Sequence, residues 1–234
     1  TGPAFAERGA FLLPGGCHEL GLSLPLCGRW PRAYTARMDI NSVAAGSPPL
    51  KVLFVASECA PFAKSGGLGD VVGSLPKALR RLGADVRVAL PLYDSIAREK
   101  YRLVEEPSCR VVCGGGEVNG CGVWRGMNDG EVPVWFIEHN RYYARPGIYD
   151  DHGAEYGDNA FRFGLLCMAA AQVCHDRHWL PDVVHVHDWP TAVMAVLLDA
   201  WRKAGVPLGR AAGVLTIHNQ GYQGYYHPSA LGYL

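Results

Sequence analysis

The sequence has no excess of charge of either sign, no apolar run long enough to cross a membrane and no paired-cysteine motif. Its 234 residues carry 22 basic and 22 acidic side chains, which argues against nucleic acid or a membrane surface as partner. No uninterrupted apolar segment approaches the roughly 20 residues of a spanning helix. None of the eight cysteines forms C-x-x-C, and most of the later ones lie in apolar runs, which predicts reduced, mostly buried thiols. What is left is an ordinary globular composition, 49% hydrophobic, with enough apolar residues for a sizeable core.

Two common nucleotide-binding loops are also missing, although a related Gly-rich loop is present. Residues 64–70 read Lys-Ser-Gly-Gly-Leu-Gly-Asp. The spacing of Gly67, Gly69 and Gly73 does not fit G-x-G-x-x-G, and the loop lacks the closing Gly-Lys-Ser/Thr of a Walker A motif. Any role in binding a nucleotide must therefore be argued from the setting of the loop.

That loop lies at a predicted junction between a buried strand and an amphipathic helix. Residues 51–57 are apolar and rich in β-branched side chains, as in a strand buried on both faces of a parallel sheet. Apolar residues then recur at helical spacing from Val71 to Leu82, which predicts a helix that stops at Gly83. Glycines at such a junction let the backbone approach a ligand, and the N–H groups of a first helical turn favour an anion. We predict a phosphate cradle with Lys64 as an added positive charge; the alternative is a Gly-rich turn that only packs strand on helix.

The next segments predict a doubly wound α/β sheet. Residues 85–91 read as a second strand, which completes a βαβ unit. Shorter runs at 121–125 and 132–137 predict hairpin strands on the flank of that sheet. After a loop over 139–156, Asp158 is the predicted N-cap of a helix that runs to about residue 175.

Polar residues follow three of the predicted strands. The last predicted elements are a strand, a helix and a strand, over residues 181–189, 191–204 and 213–217. Open α/β sheets bind ligands beyond the carboxyl ends of their strands. Lys64, Asp188 and His218 are therefore expected in one crevice.

Each of these polar residues also has another interpretation. His185, His187 and Asp188 are residue types that bind zinc, although no further ligand at a typical spacing is obvious. Asp188 or Thr191 could cap the helix over 191–204. His218 could be a core histidine at the end of a strand.

Several separated segments resemble the starch and glycogen synthases, which are retaining glucosyltransferases. Residues 64–71 match the signature K-x-G-G-L-[GA]-D-V of that family, with Ser57-Glu58 before it. Further matching segments occur in the order of the family, at residues 142–149, 156–159, 162–163, 187–189, 218–219 and 222–224. The resemblance covers about residues 51–234 and implies a Rossmann-like doubly wound parallel sheet. That sheet would be the N-terminal half of a two-domain GT-B glycosyltransferase, incomplete here because the second Rossmann-like domain is absent.

The resemblance implies roles for residues in each matching segment. Asp188 and His218 are expected to be catalytic, beside the transferred glucose. The residues expected to bind ADP-glucose are Lys64, Gly66, Gly67, Gly69, Asp70 and Asn219. Those expected near the acceptor or sugar are Tyr156, Asp158, Asn159 and Tyr222. No metal or other cofactor is implied, because a lysine and helix N–H groups would stabilise the departing diphosphate electrostatically.

The implied reaction transfers glucose from ADP-glucose to the non-reducing end of an α-1,4-glucan with retention. The expected partners are this donor and this acceptor, with neither nucleic acid nor membrane. Two alternatives stay open: a non-catalytic glucan-binding module that uses aromatic residues in 139–156 and 222–226, and another GT-B nucleotide-sugar glycosyltransferase. Because the second domain of the family contributes donor-binding residues, the chain alone is expected to be inactive.

Residues 1–48 differ in composition from the rest of the chain. They are rich in Gly, Pro and Arg without sustained periodicity, which predicts a poorly ordered lead-in or a targeting segment. Met38 is a candidate alternative start. Residues 49–234 are the expected catalytic domain, and the expected location is the cytoplasm of a bacterial-type cell, with a plastid as the alternative.

Overall fold

A seven-stranded sheet lies at the centre of the computed structural model, which describes residues 48–129 and 131–233. The strands are β1 (Lys51–Val55), β2 (Asp85–Pro91), β3 (Val104–Val112), β4 (Val118–Asn128), β5 (Val132–Glu138), β6 (Asp150–Asp151), β7 (Ala154–Glu155), β8 (Val183–His187) and β9 (Ala212–Thr216). The helices are α1 (Gly67–Arg81), α2 (Asn140–Tyr143), α3 (Asn159–Asp176) and α4 (Asp188–Lys203). Short 3-10 helices occupy Gly114–Gly116, Pro207–Arg210 and Pro228–Tyr233. The predictions for the lead-in, Met38, Cys17 and Cys27 fall outside the described residues.

The sheet is doubly wound, as the sequence predicts. Its strand order is β3-β4-β5-β2-β1-β8-β9. The run β5-β2-β1-β8-β9 is parallel, and β4 and β3 extend it in antiparallel fashion. The chain moves from β1 to β2 on one side and later from β8 to β9 on the other, so the direction of winding reverses between β1 and β8. Right-handed crossovers put α1 on one face and α3 and α4, which pack together, on the other.

Burial follows from these two covered faces. Leu53, Phe54 and Val55 of β1 are fully buried because helices lie on both sides of the strand. Helix α3 is apolar nearly all round and is buried along most of its length, between the sheet and α4. The six cysteines in the described part are free and buried, as predicted. None of the helices described is long and apolar enough to cross a membrane.

The structure differs from the sequence prediction at three places. Strand β3 was not predicted, and the hairpin strand β4 is longer than expected. The segment predicted as a loop over 139–156 contains α2 and the β6–β7 hairpin. Helix α4 begins at Asp188, before the predicted Thr191, since a proline in the first turn removes only an N–H that has no helical partner.

Candidate active site

The candidate site lies beyond the carboxyl ends of β1, β8 and β9, beside the point where the winding of the sheet reverses. The Gly-rich loop follows β1, Asp188 follows β8, and His218 and Asn219 follow β9. Because β1 pairs with β8 and β8 with β9 in parallel, these three loops leave the same edge of the sheet. Ligand sites of open α/β folds occur at such switch points.

Glu58 organises the Gly-rich loop from inside. Its carboxylate accepts hydrogen bonds from the N–H of Ser65 at 2.7 Å, from the hydroxyl of Ser65 at 2.7 Å and from the N–H of Gly66 at 3.1 Å. The side chain is buried. The N–H groups of Ser65 and Gly66 are therefore satisfied by the protein itself. Helix α1 begins immediately afterwards, at Gly67, and the first-turn N–H groups of a helix have no intrahelical partner.

The glycines of the loop serve two different purposes. A Cβ at Gly73 would lie 2.7 Å from the carbonyl oxygen of Ala60, and one at Gly69 would lie 3.0 Å from Cγ of Lys64. A Cβ at Gly66 or Gly67 would meet no atom within 4 Å. Packing of helix against loop therefore explains Gly69 and Gly73, whereas Gly66 and Gly67 face open space, where a ligand can come close to the backbone.

Lys64 and Asp70 form an ion pair at the mouth of this loop. Nζ of Lys64 lies 2.7 Å from Oδ2 of Asp70, and the two side chains are 47% and 60% exposed. An exposed pair contributes only about 0–1 kcal/mol. The ammonium group can therefore exchange Asp70 for a more strongly charged partner at little cost.

Asp188 links the end of β8 to the segment after β9. Its Oδ1 accepts the N–H of His218 at 2.6 Å and that of Asn219 at 3.3 Å. The structure supports neither capping interpretation, because the N-cap position of α4 is His187 and no side chain caps the helix there. Thr191 lies within α4, where its hydroxyl accepts the N–H of His187 at 2.8 Å and donates to the carbonyl of His187 at 3.0 Å. Asp188 itself has a φ of 53°, a left-handed conformation that is costly for a residue with a side chain and that concentrates at functional sites.

Three histidines, His185, His187 and His218, lie next to one another near Asp188. Nδ1 of His187 lies 3.0 Å from Nε2 of His218, and Nε2 of His185 lies 2.8 Å from the hydroxyl of Thr216. Desolvation, with smaller contributions from His185 and His218, lowers the pKa of His187 to about 3. Burial also lowers the pKa of His185, with His218 as the smaller cause. The core interpretation thus fits the fully buried His187 better than the partly exposed His218.

The metal interpretation has no support in residues 48–129 and 131–233. No three side chains of His, Cys, Asp or Glu are grouped there so that they could hold a metal ion. The two histidines of β8 are each engaged with a residue of the neighbouring β9 end, through one nitrogen apiece.

Tyr149 connects the loop after β1 with the start of α4. Its hydroxyl lies 2.8 Å from the hydroxyl of Ser57 and donates to Glu58 at 2.7 Å, and its ring centroid lies 6.1 Å from that of Trp189. An open cleft of about 490 Å³ lies between residues 61–65 and 146–150, with Tyr149 and Lys64 in its wall. The role of Glu58 and Tyr149 was missed from the sequence, because their link spans 91 positions in the chain.

Arg162 holds the segment that carries Tyr149. The guanidinium is fully buried, donates from Nε to the carbonyl of Tyr142 at 2.7 Å and donates from Nη1 to that of Ile148 at 2.9 Å. Desolvation lowers the pKa of Arg162. A buried cation that binds backbone carbonyls fixes a loop that has few regular hydrogen bonds of its own.

The residues expected near the acceptor fall into two groups. Asp158 makes two hydrogen bonds with Arg145, at 2.7 and 2.6 Å, which lower the pKa of the Asp158 carboxyl. Asn159 is fully buried and donates to the carbonyl of Tyr149 at 2.9 Å, and the Tyr156 ring lies 4.7 Å from the guanidinium carbon of Arg162. These three residues build the loop around Tyr149. Tyr222, in contrast, is 73% exposed.

Comparison with known proteins identifies relatives over almost the whole described part. A sequence profile described as the starch synthase catalytic domain matches residues 51–234. Glycogen synthase 1 of Geobacter sulfurreducens is 46% identical over 184 residues, which cover 78% of this chain and 37% of that protein. The glycogen synthase of Geobacillus stearothermophilus is 41% identical over 177 residues, which cover 76% of this chain and 35% of that protein.

A solved structure shows the same architecture. The catalytic domain of starch synthase IV from Arabidopsis thaliana, bound to ADP and acarbose, matches with a TM-score of 0.70 at 34% identity. The match covers 79% of this chain and 37% of that one. The chain therefore spans little more than a third of the length of the relatives that it matches.

Proposed function

The chain belongs to the starch synthase catalytic domain family, and on that premise we propose that it forms the N-terminal side of an ADP-glucose-dependent glucosyltransferase site. The reaction is transfer of glucose to the non-reducing end of an α-1,4-glucan with retention of configuration. The observation that carries this proposal is the convergence of the Gly-rich loop, Asp188 and His218 on one edge of the sheet, at the switch point.

The diphosphate of the donor binds, in this proposal, at the start of α1. Gly66 and Gly67 leave open space there, and Lys64 exchanges Asp70 for a phosphate oxygen. The transition state of glucosyl transfer resembles an oxocarbenium ion, while negative charge grows on the departing diphosphate. Preorganised donors aimed at that charge lower the barrier most. Glu58 contributes by fixing the loop in position before the donor arrives.

The transferred glucose lies beside Asp188, His218 and Asn219 in the same proposal. Asp188 accepts the backbone N–H groups of His218 and Asn219, so it fixes the backbone positions from which the imidazole and the amide side chains extend. Tyr156, Asp158 and Asn159 act indirectly, through the loop that carries Tyr149, and exposed Tyr222 is the member of that set with surface for stacking on a sugar. The Arabidopsis structure bound to ADP supports an adenosine diphosphate donor. The bacterial relatives support a cytoplasmic location, with a plastid as the alternative.

The experiment is glucan elongation with ADP-glucose, measured for two proteins. The 234-residue chain is compared with the same chain extended by the remaining region of a relative, because the match covers only 37% of that relative. We expect turnover from the extended protein and none from the 234 residues alone. Turnover of UDP-glucose in place of ADP-glucose would favour another nucleotide-sugar glycosyltransferase, and turnover by the short chain would contradict the division of the site.

A glucan-binding module without turnover is the second candidate, and two exposed aromatic residues favour it. Tyr222 and Tyr225 are 73% and 80% exposed in the segment after β9, where rings can stack on sugars. This candidate predicts retained binding to amylose by the extended protein, lost in Tyr222→Ala, with no incorporation of glucose from ADP-glucose. Incorporation of glucose by the extended protein would rule out this second candidate.

A further inference from the structure

His187 and His218 share one hydrogen bond, and a single proton lies in it. Nδ1 of His187 and Nε2 of His218 are 3.0 Å apart. The rings are nearly parallel, 19° apart, at a centroid distance of 5.3 Å. When both imidazoles are neutral, one of these nitrogens carries the hydrogen and the other accepts it. The chemistry of His218 therefore depends on which nitrogen of His187 is protonated.

His187 is neutral because it is enclosed by apolar and uncharged groups. It is fully buried, with the ring of His185 stacked at 4.3 Å and that of Phe54 at 5.5 Å. Burial and the two neighbouring histidines hold its pKa at about 3. The carboxylate of Asp188 is directed to the backbone N–H groups of the β9 end.

The other ring nitrogen of His187 decides the tautomer. Nε2 of His187 is buried and has no hydrogen-bond partner among the residues that the structure describes. A buried N–H without a partner is rarer in proteins than an under-satisfied acceptor, since it forfeits its only hydrogen bond. Nε2 of His187 should therefore carry a lone pair and no hydrogen. The proton of neutral His187 is then on Nδ1.

We propose that His187 is a positioning residue that sets the tautomer of His218, by donating its Nδ1–H to Nε2 of His218. Neutral His218 then carries its hydrogen on Nδ1, the ring nitrogen that the pair leaves available. The residue that the proposed function puts beside the glucosyl group thus meets it as a hydrogen-bond donor. Only this last step rests on the proposed function; the tautomer is a property of the chain itself.

The tautomers can be read directly by long-range ¹H–¹⁵N correlation spectra of the histidine-labelled 234-residue chain. We expect His187 and His218 both to be protonated at Nδ1. In His187→Asn the amide N–H stands near the position of Nδ1–H, and His218 keeps its tautomer. In His187→Leu the donor is gone, and His218 returns to a mixture of both tautomers.

A matched control and an activity arm complete the test. His185→Gln keeps a partner for Thr216 on the same strand face and is expected to leave the His218 signal unchanged. In the extended protein, His187→Leu should lower kcat by about tenfold or more with little change in KM, and His187→Asn should restore it. Protonation of His187 or His218 at Nε2 in the wild-type spectrum overturns the inference, even if His187→Leu fails to fold. If the extended wild-type protein shows both expected tautomers but no turnover, the proposed function is contradicted and the inference about the tautomers is not.

Discussion

At the scale of single residues, Lys64 has one observed partner and one proposed partner. The ion pair with Asp70 is exposed and so contributes little to stability. The proposed contact with the donor diphosphate forms where negative charge develops in the transition state. Its contribution to lowering the activation barrier is therefore expected to be much larger than the contribution of the ion pair to stability. Stability and activity are therefore expected to respond differently to loss of this side chain.

Lys64→Ala in the extended protein should lower kcat with ADP-glucose by about 100-fold, with a change of less than about 1 kcal/mol in the free energy of unfolding. Elongation assays and urea unfolding measure the two effects. Lys77→Ala is the matched control, because Lys77 lies on α1 outside the loop of residues 64–70 and pairs with Asp129 at 2.5 Å. Near-normal turnover in Lys64→Ala would leave the loop with a packing role only.

His187 predicts a pH dependence of stability with a defined sign. Its pKa is about 3 in the folded chain and near 6.5 when unfolded, so between these values the unfolded chain binds the extra proton. The contribution of neutral His187 to the free energy of unfolding is complete above pH 6.5 and is lost as the pH falls, by at most about 1 kcal/mol per pH unit.

Urea unfolding at several pH values between 6.5 and 4.5 measures this loss. We expect a steeper decline for the wild type than for His187→Asn, which does not titrate. His175→Asn is the control, because the His175 side chain is 69% exposed. Parallel stability curves for wild type and His187→Asn would show that this histidine is charged in the folded chain.

At the scale of elements, the start of α1 combines a packing requirement with an open approach. Gly73→Ala would bring a Cβ to 2.7 Å from the carbonyl oxygen of Ala60, whereas Gly67→Ala meets nothing within 4 Å. We expect Gly73→Ala to lower the free energy of unfolding by about 1–3 kcal/mol. Gly67→Ala should leave stability unchanged and raise KM for ADP-glucose, because the methyl group stands where the ligand approaches. Urea unfolding and initial-rate kinetics separate the two, and an unchanged KM in Gly67→Ala would argue against a ligand at this point.

Elements defined by local patterns were predictable from the sequence. The apolar run of β1, the helical spacing of α1 and the apolar run of β2 each lie within one short segment, and all three elements are present. The candidate site was predictable only as a set of residues at one sheet edge. The carboxylate of Asp188 could not be assigned, because capping of α4 was the local option and its actual partners lie 30 and 31 positions away. The sequence indicates Glu58 only as part of a matching motif, since a buried acceptor of loop N–H groups leaves no periodic pattern in the sequence.

At the scale of the whole molecule, the two edges of the sheet are unlike each other. Strand β3 is an edge strand paired with β4, and β9 is the opposite edge among the described strands. Val214, Leu215 and Ile217 at that edge are 42%, 43% and 60% exposed. An exposed apolar edge strand favours self-association.

The 234-residue chain is therefore expected to associate with rising concentration, and Leu215→Lys should reduce this without lowering the thermal midpoint. Light scattering across a concentration series measures the effect. Val196→Lys is the control, because Val196 is 55% exposed on α4, away from a strand edge. Equal association of wild type and Leu215→Lys would mean that another surface is responsible.

The hydroxyl of Tyr149 has a further consequence for the molecule as a whole. A carboxylate only accepts, so Tyr149 donates to Glu58, and its single hydrogen is then used. Ser57 must therefore donate to Tyr149. The hydrogen bonds are therefore donated in one direction only, from Ser57 after β1 to Tyr149 and from Tyr149 to the carboxylate of Glu58 under the Gly-rich loop. The position of the Gly-rich loop is thus tied to the orientation of two hydroxyl groups, those of Ser57 and Tyr149, that lie outside the loop itself.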